Sequence, residues 1–362
     1  SLFANTTADN NTAVGFNSLS ANTTGSENVA VGSLALDANT TADNNTAIGH
    51  KSLSATTSGS NNTAVGFEAL ESNTTGTHNI AIGFRSLEAH QTGTKNVAVG
   101  SFALQDNTTA DENTGLGYSS LSANTTGTKN VAVGTSTLQS STTSSNNTGI
   151  GYFALFSNTT GTQNTAVGAF ALDASSGANE NTAMGYESLT ACTSGEGHAA
   201  FGWKSLSATT TANDNTAFGH AAMRDTTTGA SNTAVGRAAL QVNTTGENNV
   251  AVGSYSLLSS TTAYSNVAIG ANTLDACTTG GENVAIGHHA LTDSTTGGGN
   301  TCVGRECGAS VTTAGFVTAV GHNALNSVTT GDKNTCVGQR SGLSITTGQK
   351  NTCIGYVAGS SI

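Results

Sequence analysis

Apolar positions return along this chain with one short period. Runs such as Asn28-Val29-Ala30-Val31-Gly32 and Asn283-Val284-Ala285-Ile286-Gly287 recur every seventeen residues, separated by polar stretches rich in Asn, Thr, Ser and Gly. The glycine that closes each run falls at Gly15, Gly32, Gly49 and onward to Gly355, so twenty-one glycines mark twenty-one copies without an insertion or deletion. Each unit is numbered from its Asn at place one. Places two to five are Thr or Val, Ala, Val or Ile, and Gly; Ala or Ser and Leu follow at places eight and nine. Asn or Thr, Thr, Thr and Gly occupy places twelve to fifteen, and a two-residue polar turn ends the unit.

A fixed short period predicts stacked units, each contacting mainly its two neighbours. Within the run the alternation has period two, which predicts a strand, and seventeen residues leave little room for a helix. The expected fold is all-β: a parallel β-solenoid of about 21 coils, 17 residues per coil, running through residues 1–362 as a single continuous body. At about 4.8 Å per coil it would be about 100 Å long. A second short extended segment is expected over the Leu and the Thr pair. Places two and four, such as Val29 and Val31 or Ile80 and Ile82, are expected to point into the coil with Leu19, Leu36, Leu53 and Leu70 from place nine.

Gly15, Gly32 and Gly49 are expected to supply a positive φ or a corner too tight for a Cβ. Asn11, Asn28 and Asn45 at place one are expected to form an amide ladder, which only His198 and Val317 interrupt. Coils after about residue 300 form a subtype containing Gly and Cys. There Gly308, Gly342 and Gly359 replace Leu while Val311, Ile345 and Ile362 appear at place twelve. Apolar volume lost at one corner is regained at another, so place twelve is expected to be able to face inward. Val328, beside a retained Leu325, shows that the exchange is not strict.

Composition narrows the possibilities. Charged residues are 9% of the chain, aromatics 5%, and proline is absent, a balance that would predict disorder if the apolar residues were not in register. The net charge of −11 argues against nucleic acid, whose phosphates require clustered Lys and Arg. No apolar run approaches the roughly 18 residues of a membrane span. Ser1 sits eight places into a unit, so a segment of a longer protein is expected. The six cysteines contain no CxxC pair and suggest neither zinc nor a disulfide framework. Cys336 and Cys353 are expected to stack with parallel side chains, unsuited to a disulfide, and cysteine to act as a small apolar residue.

The runs Val-Ala-Ile-Gly and Val-Ala-Val-Gly following Asn, clearest at 266–270, 283–287 and 28–32, resemble the repeat of YadA-like head domains in trimeric autotransporter adhesins. Similar repeats occur in phage tail fibres and in long secreted bacterial surface proteins. The resemblance implies a left-handed parallel β-roll, with Val267 and Ile269 in the core and Ala268 at or near a protomer contact. It also implies a homo-oligomer, a trimer in that family. The family repeat is shorter than seventeen residues, which leaves a larger ring open.

Variation concentrates just after each Gly. Place six holds Phe16, Phe67, Phe84, Tyr118, Tyr152, Tyr186, Trp203, His220, His288 and His322; place seven holds Lys51, Glu68 and Arg85 on consecutive coils, then Glu187 and Lys204. This stripe is either a ligand-contacting surface or an inter-chain packing surface with favourable vertical charge pairs. His288 and His322 lie two coils apart, about 10 Å, too far to share a metal. Acidic residues such as Asp43, Asp111 and Glu112 sit in turns without a calcium-binding motif. Asn-Thr-Thr at Asn22, Asn39, Asn73, Asn107, Asn124, Asn158 and Asn243 also reads as a glycosylation sequon.

No triad, nucleophile elbow or phosphate loop appears, so no catalytic residue, cofactor or metal is expected. The expected function is a non-enzymatic, extracellular or cell-surface fibre segment, acting as shaft or adhesin toward a cell-surface or glycan target. A viral or phage tail fibre is the first alternative. Ice binding through the Thr23-Thr24 and Thr40-Thr41 columns is the second, although adjacent threonines point to opposite faces.

Overall fold

A computed structural model describes residues 1–360; Ile362, the last of the expected place-twelve series, lies outside them. The chain divides into two compact units, residues 1–180 and 181–362. The first contains β1 (Thr12–Val14), β2 (Val29–Val31), β5 (Ile80–Ile82) and the other strands up to β10 (Thr165–Val167). The second runs from β11 (Thr182–Met184) through β16 (Val267–Ile269) and β17 (Val284–Ile286) to β21 (Thr352–Ile354). Every strand is three residues long, one per seventeen-residue coil, and the described residues contain no helix. Within each unit neighbouring strands are parallel and in register: Ala30 faces Ala47 in the first, and Ala268 faces Ala285 in the second. The all-β solenoid expected from the period is the fold observed.

The facing of the strands is the reverse of the expectation. Ala30, Ala81 and Ala268 at place three are fully buried, whereas their neighbours at places two and four are half-buried or exposed. Ile80 and Ile82 are 38% and 40% exposed. Val29, Val31, Val267 and Ile269 therefore point outward, and Ala268 is core instead of a protomer contact. The cause is space. Leu from place nine and a polar residue from place twelve fill the interior, leaving room behind the strand only for a methyl group.

The second extended segment is also absent. Leu36 and Leu53 sit at φ 51° and 52°, in the left-handed region, as do place seven (Lys51, φ 57°) and place seventeen (Asn44, φ 59°). Three left-handed residues per coil turn the chain where strands were expected. The coils still bond to one another there: Leu36 N–H donates to Ser52 O at 3.1 Å, and Thr40 N–H to Thr57 O at 3.2 Å. The left-handed twist turns the Leu side chain inward, where it is fully buried.

The recurrent glycine meets both of its expected requirements. Gly15 has φ 133°, and a Cβ there would stand 2.5 Å from Gly32 O, so the corners stack too closely for any side chain. The amide ladder is also present and has a defined geometry. Asn28 Nδ2 donates to Ala42 O in its own coil at 2.8 Å, while its Oδ1 accepts the Asn45 N–H of the next coil at 3.0 Å. Asn11 Oδ1 does the same for the Asn28 N–H at 2.9 Å. A side-chain oxygen thus replaces the missing backbone acceptor at the coil corner.

Candidate functional site

The outward strand face is the most distinctive surface in both units. Place four carries an apolar residue in all twenty-one coils, and neither place two nor place four carries a charge in any coil. Leu116, Ile150, Phe218 and Ile269 are 39–44% exposed. Their partners at place two are mostly Thr and Val, half-buried beside them. Hence two columns of mainly β-branched side chains run along each unit, spaced by the strand separation.

The predicted place-six residues border this face. Phe67, Phe84 and Trp203 are 40–41% exposed, Tyr152 50%, Tyr118 55% and Phe16 71%; Tyr186 and His220 are exposed, as is His288, and His322 is half-buried. The first unit stacks some of them along the coils: His50 on Phe67 at 5.2 Å and Phe67 on Phe84 at 5.3 Å, then edge-on contacts to Phe102 and Tyr118. The second unit also stacks neighbouring place-six rings, with Trp203 on His220 at 4.6 Å. Where the rings stack face to face, as His50, Phe67 and Phe84 do, they cover one another's faces, a geometry for packing more than for laying a flat ligand on a ring face.

The place-seven charges pair as expected. Lys51 and Arg85 flank Glu68 at 3.8 and 2.9 Å. Glu71 and Glu88 join the cluster, bound to Lys51 at 3.0 Å and to Arg85 at 3.7 Å. These three carboxylates converge, and two cations, Lys51 and Arg85, pair with them and offset two of the three charges. Lys204 reaches Glu187 at 3.0 Å and lies over the Trp203 ring. The Glu187 carboxyl is held below its ordinary pKa, first by the Tyr186 hydroxyl and then by Lys204. His288 packs edge-to-face on His289 of its own coil.

Other predicted features are internal. Asn22, Asn39, Asn73, Asn107, Asn124, Asn158 and Asn243 are fully buried at place twelve, so the sequon reading fails in the folded protein. Asn22 Nδ2, the atom that would be glycosylated, donates to Gly25 O at 2.9 Å. The Thr23 hydroxyl is spent on Thr40 O at 2.9 Å, which leaves Thr24 as the exposed column of the pair. All six cysteines are buried and free, with Cys336 and Cys353 directly paired in register. Burial raises the Cys192 and Cys277 thiols to a pKa of about 11.

Sequence reasoning missed the columns at places two and four as surface. The signal was available in their tolerance: place four accepts Val, Ile, Leu, Met and Phe alike, while place three accepts only Ala, Gly and Cys. A confined position restricts volume, and an outward one does not. No helix among the described residues is long and apolar enough to cross a membrane. No protein-family model, curated protein or solved structure matches this chain.

Proposed function

We propose that this chain is a non-enzymatic fibre segment that packs side by side with further copies of itself through the outward strand face. One observation carries the reading: an uncharged, apolar column repeats at every coil and is left partly exposed. Monomeric soluble proteins rarely expose a continuous apolar patch beyond a few hundred Å². A partner covering such a column must match its seventeen-residue period, and another copy of the chain does so at every coil. The rings at place six would frame the contact, as aromatics do in many interfaces. The YadA-like resemblance suggests three chains, and an extracellular shaft or adhesin, or a viral or phage fibre, as the setting.

Sedimentation and cryo-electron microscopy of the purified chain test the reading. An oligomer that dissociates on Ile82→Lys with Ile269→Lys is expected. A monomer at all concentrations would refute it. A second reading, ice binding, gains support from Thr148 and Thr165, or Thr216 and Thr233, which repeat at place two on the same regular face. Thermal hysteresis abolished by Thr216→Lys in a monomeric chain would favour it over self-association.

A further inference from the structure

The two-residue turn at places sixteen and seventeen is polar through most of the chain, and Tyr264 and Phe316 are its only Phe, Tyr or Trp residues. Both flank one stretch of the second unit where place sixteen is glycine in three successive coils, Gly281, Gly298 and Gly315. Elsewhere the side chain at that place often closes the turn. Asp43 Oδ1 accepts the Ser26 N–H at 2.7 Å, and Asn213 Oδ1 accepts the Glu196 N–H at 2.9 Å. Without those side chains a trough of about 440 Å³ opens.

Two aromatic rings lean into it from opposite ends. The Tyr264 ring lies over Gly281, where a Cβ would stand 2.6–2.9 Å from three ring carbons. The Phe316 ring lies over Gly299, where a Cβ would be 3.0 Å from its nearest ring carbon. Tyr264 comes from the coil before Gly281 and Phe316 from the coil after Gly299, so the two rings lean over adjacent coils from opposite sides, and both line the trough with Gly298. They are 50% and 67% exposed, unlike rings buried for packing. The Gly298 N–H donates no hydrogen bond among the described residues, and Glu282, Asp332 and Lys333 stand on the lining.

We propose that this trough binds a pyranose ring of a neutral glycan. An apolar sugar face suits the aromatic rings, and carboxylates accept hydrogen bonds from sugar hydroxyls. The Gly298 N–H and the Lys333 ammonium supply donors to ring and hydroxyl oxygens. Two carboxylates against one ammonium disfavour an acidic sugar. The site uses none of places two, four or six, so it is independent of side-by-side association.

The test titrates the whole chain with cellobiose, chitobiose and lactose, and with sialyllactose as the acidic probe, by isothermal calorimetry and saturation-transfer NMR. At least one neutral disaccharide should bind, and Tyr264→Ala and Phe316→Ala should each weaken it about tenfold. Gly298→Asn restores a residue type that other coils carry at this place, so it should block binding while leaving the melting temperature unchanged. Binding by none of the neutral sugars, binding by sialyllactose alone, or undiminished binding by Gly298→Asn would each overturn the proposal.

Discussion

The coil that starts at Asn232 fills its interior with Ala234, Leu240 and Asn243; the coil that starts at Asn334 uses Cys336, Gly342 and Ile345. Both sit in the second unit, and both place their strand and corner glycine alike. In the first, Leu240 holds a left-handed φ of 52°, which costs a non-glycine residue about 1 kcal/mol. Asn243 Nδ2 reaches Gly246 O at 3.0 Å, but its Oδ1 is buried without a partner. In the second, glycine takes the left-handed place without that penalty, the thiol fills part of the vacated volume, and isoleucine removes the orphaned oxygen. A Cβ on Gly342 would lie 2.5 Å from Cys336 Sγ and 2.8 Å from Leu325 Cδ2. The same trio occurs at Cys302, Gly308 and Val311, while Ala319 goes with Leu325. Places three and nine are therefore coupled, with Cys accompanied by Gly and Ala by a large side chain, Leu or, at Ala217, Met223; place twelve follows loosely.

Changes to what the two coil types share should hurt both most. Gly236→Ala and Gly321→Ala each force a Cβ to 2.6 Å from the carbonyl oxygen of the next corner, at φ 134° and 135°. Each should destabilise the chain by at least about 3 kcal/mol in urea titration. Equal tolerance of either would show that the corner is not the common constraint.

Swapping one member of a trio should come next. Leu240→Gly leaves a cavity and should cost about 3 kcal/mol, while Gly342→Leu should cost about 2 kcal/mol by overpacking against Cys336 and Leu325. The triple change Cys336→Ala, Gly342→Leu and Ile345→Asn should recover most of that loss, with a coupling above about 1 kcal/mol. Additive losses would break the comparison.

The two asparagine columns should separate more finely. Asn232 Nδ2 bonds Gly246 O at 2.8 Å and its Oδ1 accepts the Asn249 N–H at 2.9 Å, so Asn232→Ala strands a buried donor and should cost about 2 kcal/mol. Asn243→Val leaves Gly246 O still bonded to Asn232 and deletes an unpaired oxygen. Its effect should stay within about 1 kcal/mol in the same titration.

The smallest expected effect concerns pH. His198 replaces Asn in the ladder by mimicking it: Nε2 donates to Ala212 O at 2.7 Å, and Nδ1 accepts the Asn215 N–H at 3.2 Å. That geometry requires the neutral ring, and burial holds its pKa below the ordinary value. The unfolded chain then binds the proton more readily. The contribution of His198 is complete above about pH 6.5 and is lost as pH falls from there toward the depressed folded value. His198→Asn should flatten this part of the stability profile. An unchanged profile would mean that His198 is not the titrating group.

The period, the absence of helix, the parallel register, the corner glycine, the asparagine ladder and the vertical ion pairs were all legible in the sequence. Each depends on which residues stand seventeen apart, and the repeat states that directly. The facing of the strand was not, because alternation fixes two faces without naming the inner one. The left-handed leucines were hidden because leucine ordinarily avoids that conformation. A quieter sign was present, since place nine is Leu, Met or Gly and never Val or Ile, the residues least able to adopt it. The trough at Tyr264 and Phe316 was invisible because it depends on rings leaning over glycines in adjacent coils.

Hydrogen bonds between coils join residues sixteen to eighteen apart, as from Val29 N–H to Asn45 O and from Gly32 N–H to Val14 O. The loop entropy lost when each new coil docks is therefore that of one short segment, however many coils precede it. Within a unit, folding can advance along the chain like a closing zip, with each finished coil templating the next. Adding a coil would lengthen the time to completion in proportion, not exponentially, so chain length could change without a folding barrier growing with it.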